Sequence, residues 1–175
     1  MARPSVSAPP ASFGRVSQVS LKVAALMALA ALGIQALLPI IHPAFSVLNL
    51  PLLVVVLVAL TIRAVVPGIL CAMLIGWAQD GLTHDPVGLL GIVYSLLTYL
   101  VVTASLYVKV SLAYVFGLLI AAAYLAHEIL LYAIRVYLLG QDPPLEVALW
   151  GALTALHAGL GLLVYPVHRR LIDTS

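Results

Sequence analysis

Apolar residues run along this chain in long blocks, and short polar knots separate the blocks. A helix needs roughly 20 apolar residues to cross a hydrocarbon core of about 30 Å. The first block is Leu21–Ile41, closed by Pro39, His42 and Pro43. Further blocks cover 86–107, 111–139 (ended by Gly140) and 145–167, the last opening after Pro143 and Pro144. In front of the 86–107 block, Asp85 is expected as the N-cap, with Pro86 at the first helical position, where its missing N–H costs nothing.

Residues 47–79 form one apolar stretch broken once, by Arg63. As a single helix it would extend about 50 Å with an arginine near its middle. As two helices, 48–63 and 65–81, each half is short for a full crossing, which takes roughly 20 residues. Positive charge decides between them. With the break, Arg3, Arg15, Lys22, Arg63, Lys109, Arg169 and Arg170 all fall on one side, and the opposite loops (42–48, 80–85 and 140–146) hold no Lys or Arg. Short cytoplasmic loops carry the Lys and Arg, so the pattern predicts six spans with both termini cytoplasmic. The expected fold is an all-α integral membrane protein, a compact bundle of six transmembrane helices over 21–170, with short tails at 1–20 and 171–175.

Composition agrees. Charged residues make up 8% of the chain and hydrophobic ones 64%, against about 25% charged in soluble domains. The Ser-, Pro- and Ala-rich stretch 1–20 reads as a disordered tail. The run after it is longer than the h-region of a signal peptide and is expected to stay as the first span. A single cysteine, Cys71, precludes an intrachain disulfide. The short loops leave no soluble domain, and the thinly spread basic residues leave no surface for nucleic acid.

Charges inside a membrane segment are costly and point to structure or function. Tyr124, Glu128, Tyr132 and Arg135 follow at spacings of four, four and three and share one helix face, with His127 beside it. Asp80 ends the third span on the same side, facing the negative end of its own helix dipole. A polar cluster of Asp80, Glu128, Tyr132 and Arg135 is therefore expected, either as an ion pair fixing helix register or as a ligand or partner site. In the last span Trp150, Thr154, His157 and Gly161 share a face, while Gly151, Ala155 and Gly159 form a small-residue row suited to close helix packing, first of all within the chain. His157 is expected to be hydrogen-bonded inside the bundle, with a proton relay as the other reading.

Catalytic patterns are not found. The histidines are scattered without metal-ligand spacing, no serine stands in a nucleophile elbow, and no phosphate-cradling loop occurs. No cofactor or metal is expected.

The segment 76–91, Gly-Trp-Ala-Gln-Asp-Gly-Leu-Thr-His-Asp-Pro-Val-Gly-Leu-Leu-Gly, resembles the signature of the bacterial rod-shape-determining MreD family, in which a helix ending in Asp is followed by a small or hydroxyl residue and a Pro-x-Gly leading into the next helix. The matching positions are Gly76, Asp80, Thr83, Pro86 and Gly88, with Asp85 beside them. Gly81 after Asp80 and His84 depart from the family pattern. Turn chemistry alone explains much of the segment, with Gly81 as a left-handed helix C-cap.

The resemblance implies a non-enzymatic scaffold of the cell-elongation machinery in the bacterial inner membrane. Such a protein partners MreC and, through it, MreB filaments, RodA and its class B transpeptidase, regulating cell shape and peptidoglycan synthesis. Family members are also similar in architecture to the substrate-binding subunits of energy-coupling-factor vitamin transporters. That similarity supplies the alternative function, in which Asp80, Glu128, Arg135 and Trp150 line a solute pocket and Ala24 and Ala28 pack on a transducing subunit.

Overall fold

The computed structural model describes residues 21–62, 65–83 and 86–173. Within them the chain forms six helices: α1 (Leu21–Ile41), α2 (Leu50–Ile62), α3 (Val65–Thr83), α4 (Leu89–Ser105), α5 (Ala113–Tyr137) and α6 (Val147–Asp173), with a 3-10 turn over Pro43–Val47. Five apolar segments are long enough to cross a membrane, the second of them joining the 3-10 turn to α2; α4, with 17 residues, is shorter. The expected tail 1–20, Arg63, His84 and Asp85 lie outside the described residues. The 47–79 block is divided, as charge required, into α2 and α3, which pack against each other.

α2 is the axis of the bundle. It touches every other helix, and its side chains from Leu52 to Leu60 are buried on all sides save a half-buried Val54. A helix apolar all round has no face to offer water or to distinguish lipid from protein, so it sits where contact is available on every side. One set of its residues (Leu53, Val56, Leu57, Leu60) packs on Phe116, Ile120 and Ala123 of α5 and Val101 and Val102 of α4. Another (Leu52, Val55) packs on Ala72 and Ile75 of α3 and Val93, Tyr94 and Leu97 of α4. The outer helices turn large apolar residues such as Leu26, Leu29, Ile92, Leu118 and Leu163 away from the protein.

The helices alternate in direction. Residues late in α1 and α3 meet residues at the start of α2 and early in α4: Gln35 reaches Leu50, and Gln79 reaches Asn49 and Tyr94. At the opposite end, Thr61 of α2 meets His168 of α6, which stacks on Phe116 at the start of α5. Lys22, Arg169 and Arg170, by their positions in α1 and α6, and Lys109, in the connection from α4 to α5, belong to this second end.

Three local expectations are corrected. α4 begins at Leu89, three residues later than a Pro86 start requires. Gly88 stands at its N-cap in the left-handed region (φ 99°), and Pro86 sits in the turn, its carbonyl accepting the N–H of Leu89. Gly81 is helical, inside α3, rather than a left-handed cap. The small-residue row of α6 is not a seam within the chain: Gly151, Ala155 and Gly159 are exposed, and a Cβ added at either glycine would meet nothing within 4 Å. α6 packs on α5 through its other face, where Gly161 lies against Ile120 and Gly117 of α5 against Leu162.

Candidate functional site

Two polar constructions occupy the same end of the bundle. The first is the α3–α4 hairpin. Asp80, 1% exposed, turns its carboxylate onto the start of α4: Oδ2 accepts the N–H of Gly88 at 2.7 Å and Oδ1 the N–H of Leu90 at 3.0 Å. The first N–H groups of a helix have no partner within it and carry the positive end of its dipole, so a carboxylate is well placed there. Asp80 lies unfavourably for the dipole of α3, which bears it, and favourably for that of α4, which it caps.

Close approach makes the cap possible. A Cβ on Gly76 would lie 2.5 Å from backbone atoms of Leu90 and Gly91, and one on Gly91 would lie 2.5 Å from the Trp77 indole. The two glycines thus bring the helix backbones together beside the cap. Thr83 donates to the carbonyl of Gln79 at 3.1 Å, closing the last turn of α3. Gly76, Asp80 and Gly88 are joined in one structure, with Thr83 and Pro86 at its edges.

The second construction is a buried hydrogen-bond network centred on Asn49, the residue before α2. Asn49 Oδ1 accepts from the N–H of Leu52 (3.2 Å), the Tyr94 hydroxyl (2.9 Å) and Gln79 Nε2 (3.4 Å). The Tyr94 hydroxyl also lies 2.6 Å from Gln79 Oε1, its one proton serving either acceptor. On its other side Asn49 donates, through its backbone N–H to His157 Nε2 (3.2 Å) and through Nδ2 to His127 Nε2 (3.5 Å). His127 Nδ1 lies 3.3 Å from Glu128 Oε1, and Tyr124 bonds Glu128 while stacking on His157, ring centroids 3.9 Å apart. Gln35 of α1 holds the N–H of Leu50. All six helices contribute to this assembly.

The expected cluster is therefore divided. Asp80 belongs to the hairpin, with both its oxygens engaged by α4, in place of a pairing with Arg135. Amide N–H groups fixed at a helix end supply a carboxylate with donors at little cost in side-chain entropy, whereas a long arginine must be immobilised to do so. Glu128, Tyr132 and Arg135 do stay together: with Trp150, Leu131, Pro143 and Pro144 they line a pocket of about 80 Å³, and Tyr132 meets Trp150 edge to face at 5.7 Å. His157 is fully buried and hydrogen-bonded, as expected, and the face it shares with Gly161 points inward.

The network members Gln35, Asn49, Gln79 and Tyr94 escape a reading that starts from charge. Their signal is present: an uncharged amide within an apolar block also requires a partner once water is excluded. No family model, curated protein or solved structure matches this chain.

Proposed function

We propose that this chain is a non-enzymatic membrane scaffold of the bacterial cell-elongation machinery, an MreD-type protein that holds MreC and helps regulate peptidoglycan synthesis. The observation that carries the reading is the construction of the α3–α4 hairpin. Gly76, Asp80 and Gly88, spread over 13 positions of the motif, meet at the start of α4: Asp80 accepts the N–H groups of Gly88 and Leu90, and Gly76 lies against the backbone of Leu90 and Gly91. A motif of this kind maintains the shape of a helical pair.

Two further features support a scaffold. The polar residues around Asn49 bond to one another and to nearby backbone, which suits rigidity. The outward face of α6 carries Gly151, Ala155 and Gly159, a row on which a partner's transmembrane helix can lie close. In this reading the end holding the hairpin faces the periplasm, and the end bearing Lys22, Lys109, Arg169 and Arg170 faces the cytoplasm.

The solute-binding alternative fits less well. The pocket at Glu128, Arg135 and Trp150 measures about 80 Å³, against roughly 300 Å³ or more for small-molecule sites. Ala24 and Ala28, which would dock on a transducing subunit, are buried within the chain. The test is co-purification from mild detergent. Recovery of MreC with the tagged chain supports the scaffold; recovery of a transporter's transducing subunit or a stoichiometric vitamin in its place overturns it.

A further inference from the structure

The hydrogen-bond pattern around Asn49 leaves no freedom in the protonation of His157. Its Nε2 receives a backbone N–H, that of Asn49 at 3.2 Å, so this nitrogen presents a lone pair. Its Nδ1 faces the carbonyl of Leu153 at 2.8 Å, which only accepts, so the ring's single proton is on Nδ1. His127 is disposed the same way. Asn49 Oδ1 is identified by the Leu52 N–H pointing at it, which leaves Nδ2 as the atom facing His127 Nε2. That ring therefore accepts at Nε2 and donates from Nδ1 to Glu128. Both Nε2 atoms are directed at one residue.

We propose that His157, seconded by His127, forms a proton-sensitive clasp on Asn49, and that proton binding releases the corner where the Pro43–Val47 turn enters α2. The chemistry is a simple proton uptake. When Nε2 gains a proton, it becomes an N–H facing the N–H of Asn49, and an attraction becomes a clash of donors. Asn49 caps α2 with its carbonyl and side chain and ties α2 to Gln79 and Tyr94, so its displacement loosens α2 against α3, α4 and α6 together.

The titratable groups facing the clasp are few. α5 supplies Tyr124, stacked on His157, with His127 and Glu128; α4 supplies Tyr94; α3 brings Asp80, held by its cap. Among the described residues, the sides from α1 and α2 present the amides Gln35 and Asn49. Glu128 gives the clasp a second state, because its carboxylate attracts a protonated imidazole that Asn49 repels. Its side chain is 19% exposed and lines the pocket with Tyr132 and Arg135. The Asn49 N–H can bond His157 only while Nε2 carries no proton, so acid shifts the balance toward opening.

Hydrogen exchange of the full-length protein in lipid nanodiscs tests this. With exchange rates corrected for intrinsic pH dependence, protection of the Asn49, Leu50, Leu52 and Leu53 amides should fall about tenfold from about pH 8 to about pH 5, the effect of losing one hydrogen bond across the imidazole range. His157→Gln retains an acceptor near the Nε2 position that does not protonate, and should keep protection across the range. Unchanged wild-type protection, or an equal fall in His157→Gln, overturns the proposal. Should that variant fail to fold, nitrogen NMR of wild-type His157 decides: a neutral ring protonated at Nδ1 at pH 8 supports the clasp, and a doubly protonated ring with the corner intact refutes it.

Discussion

The carboxylate of Asp80, at the end of one helix, grips the backbone N–H of Gly88 at 2.7 Å across the turn to the next. Its second oxygen takes the N–H of Leu90 at 3.0 Å. With Asp80 buried, Asp80→Ala leaves two amide donors without an acceptor. A loss of about 3 kcal/mol is expected, since each buried unsatisfied group costs about 1–3 kcal/mol. Asp80→Asn keeps one acceptor oxygen and should lose about half as much. Thermal unfolding in detergent, monitored by circular dichroism, measures both; equal stability of wild type and Asp80→Ala would refute the cap.

The two glycines at the hairpin contact should respond unequally to alanine. A methyl on Gly76 meets the backbone of Leu90 and Gly91, which cannot yield unless the helices separate. One on Gly91 meets the indole of Trp77, a half-exposed side chain free to swing outward. Gly76→Ala is expected to cost about 3 kcal/mol and Gly91→Ala about 1 kcal/mol, the range of overpacking in a filled interior. The same unfolding assay ranks them, and the reverse order would mean that the helix backbones are not in contact at Gly76.

Tyr94→Phe tests the Asn49 network without altering shape. The change removes a hydroxyl proton from between Asn49 Oδ1 and Gln79 Oε1. Asn49 keeps the Leu52 amide, so the loss should be about 1–2 kcal/mol rather than that of a wholly orphaned group. A double-mutant cycle with Gln79→Leu should show coupling between the two positions; strict additivity would mean that the contact is not energetically real.

On α6, Gly159→Leu separates folding from association. The position is exposed, and a Cβ added there would meet nothing within 4 Å. Stability should stay within about 0.5 kcal/mol of wild type, as for substitutions away from packed features. Recovery of MreC in co-purification should fall several-fold, because a partner helix can no longer approach closely. Undiminished recovery would remove this face from the proposed interface.

Much of the architecture is legible in hydropathy and charge. The break between α2 and α3 illustrates how: a single helix over that block violates both the length a bilayer accommodates and the distribution of Lys and Arg. The inward face of α6 bearing His157 follows from spacing alone. The orientation of the Gly151 row does not, because small residues are equally suited to a seam within the chain and to one left open for another helix.

Asp80 shows the same boundary. Its place at the end of an apolar block was a matter of sequence, as was its need for a partner, since a carboxyl group in such a block requires one wherever the block folds. The choice of partner was tertiary. Gly76 and Gly91 let two helices approach so closely that the unsatisfied N–H groups of α4 arrive at the carboxylate before a side chain from α5 does. Hydrophobic blocks act locally and can be read along the chain, whereas hydrogen-bond partners are set by which backbones meet, and residues far apart in sequence meet only in the folded bundle.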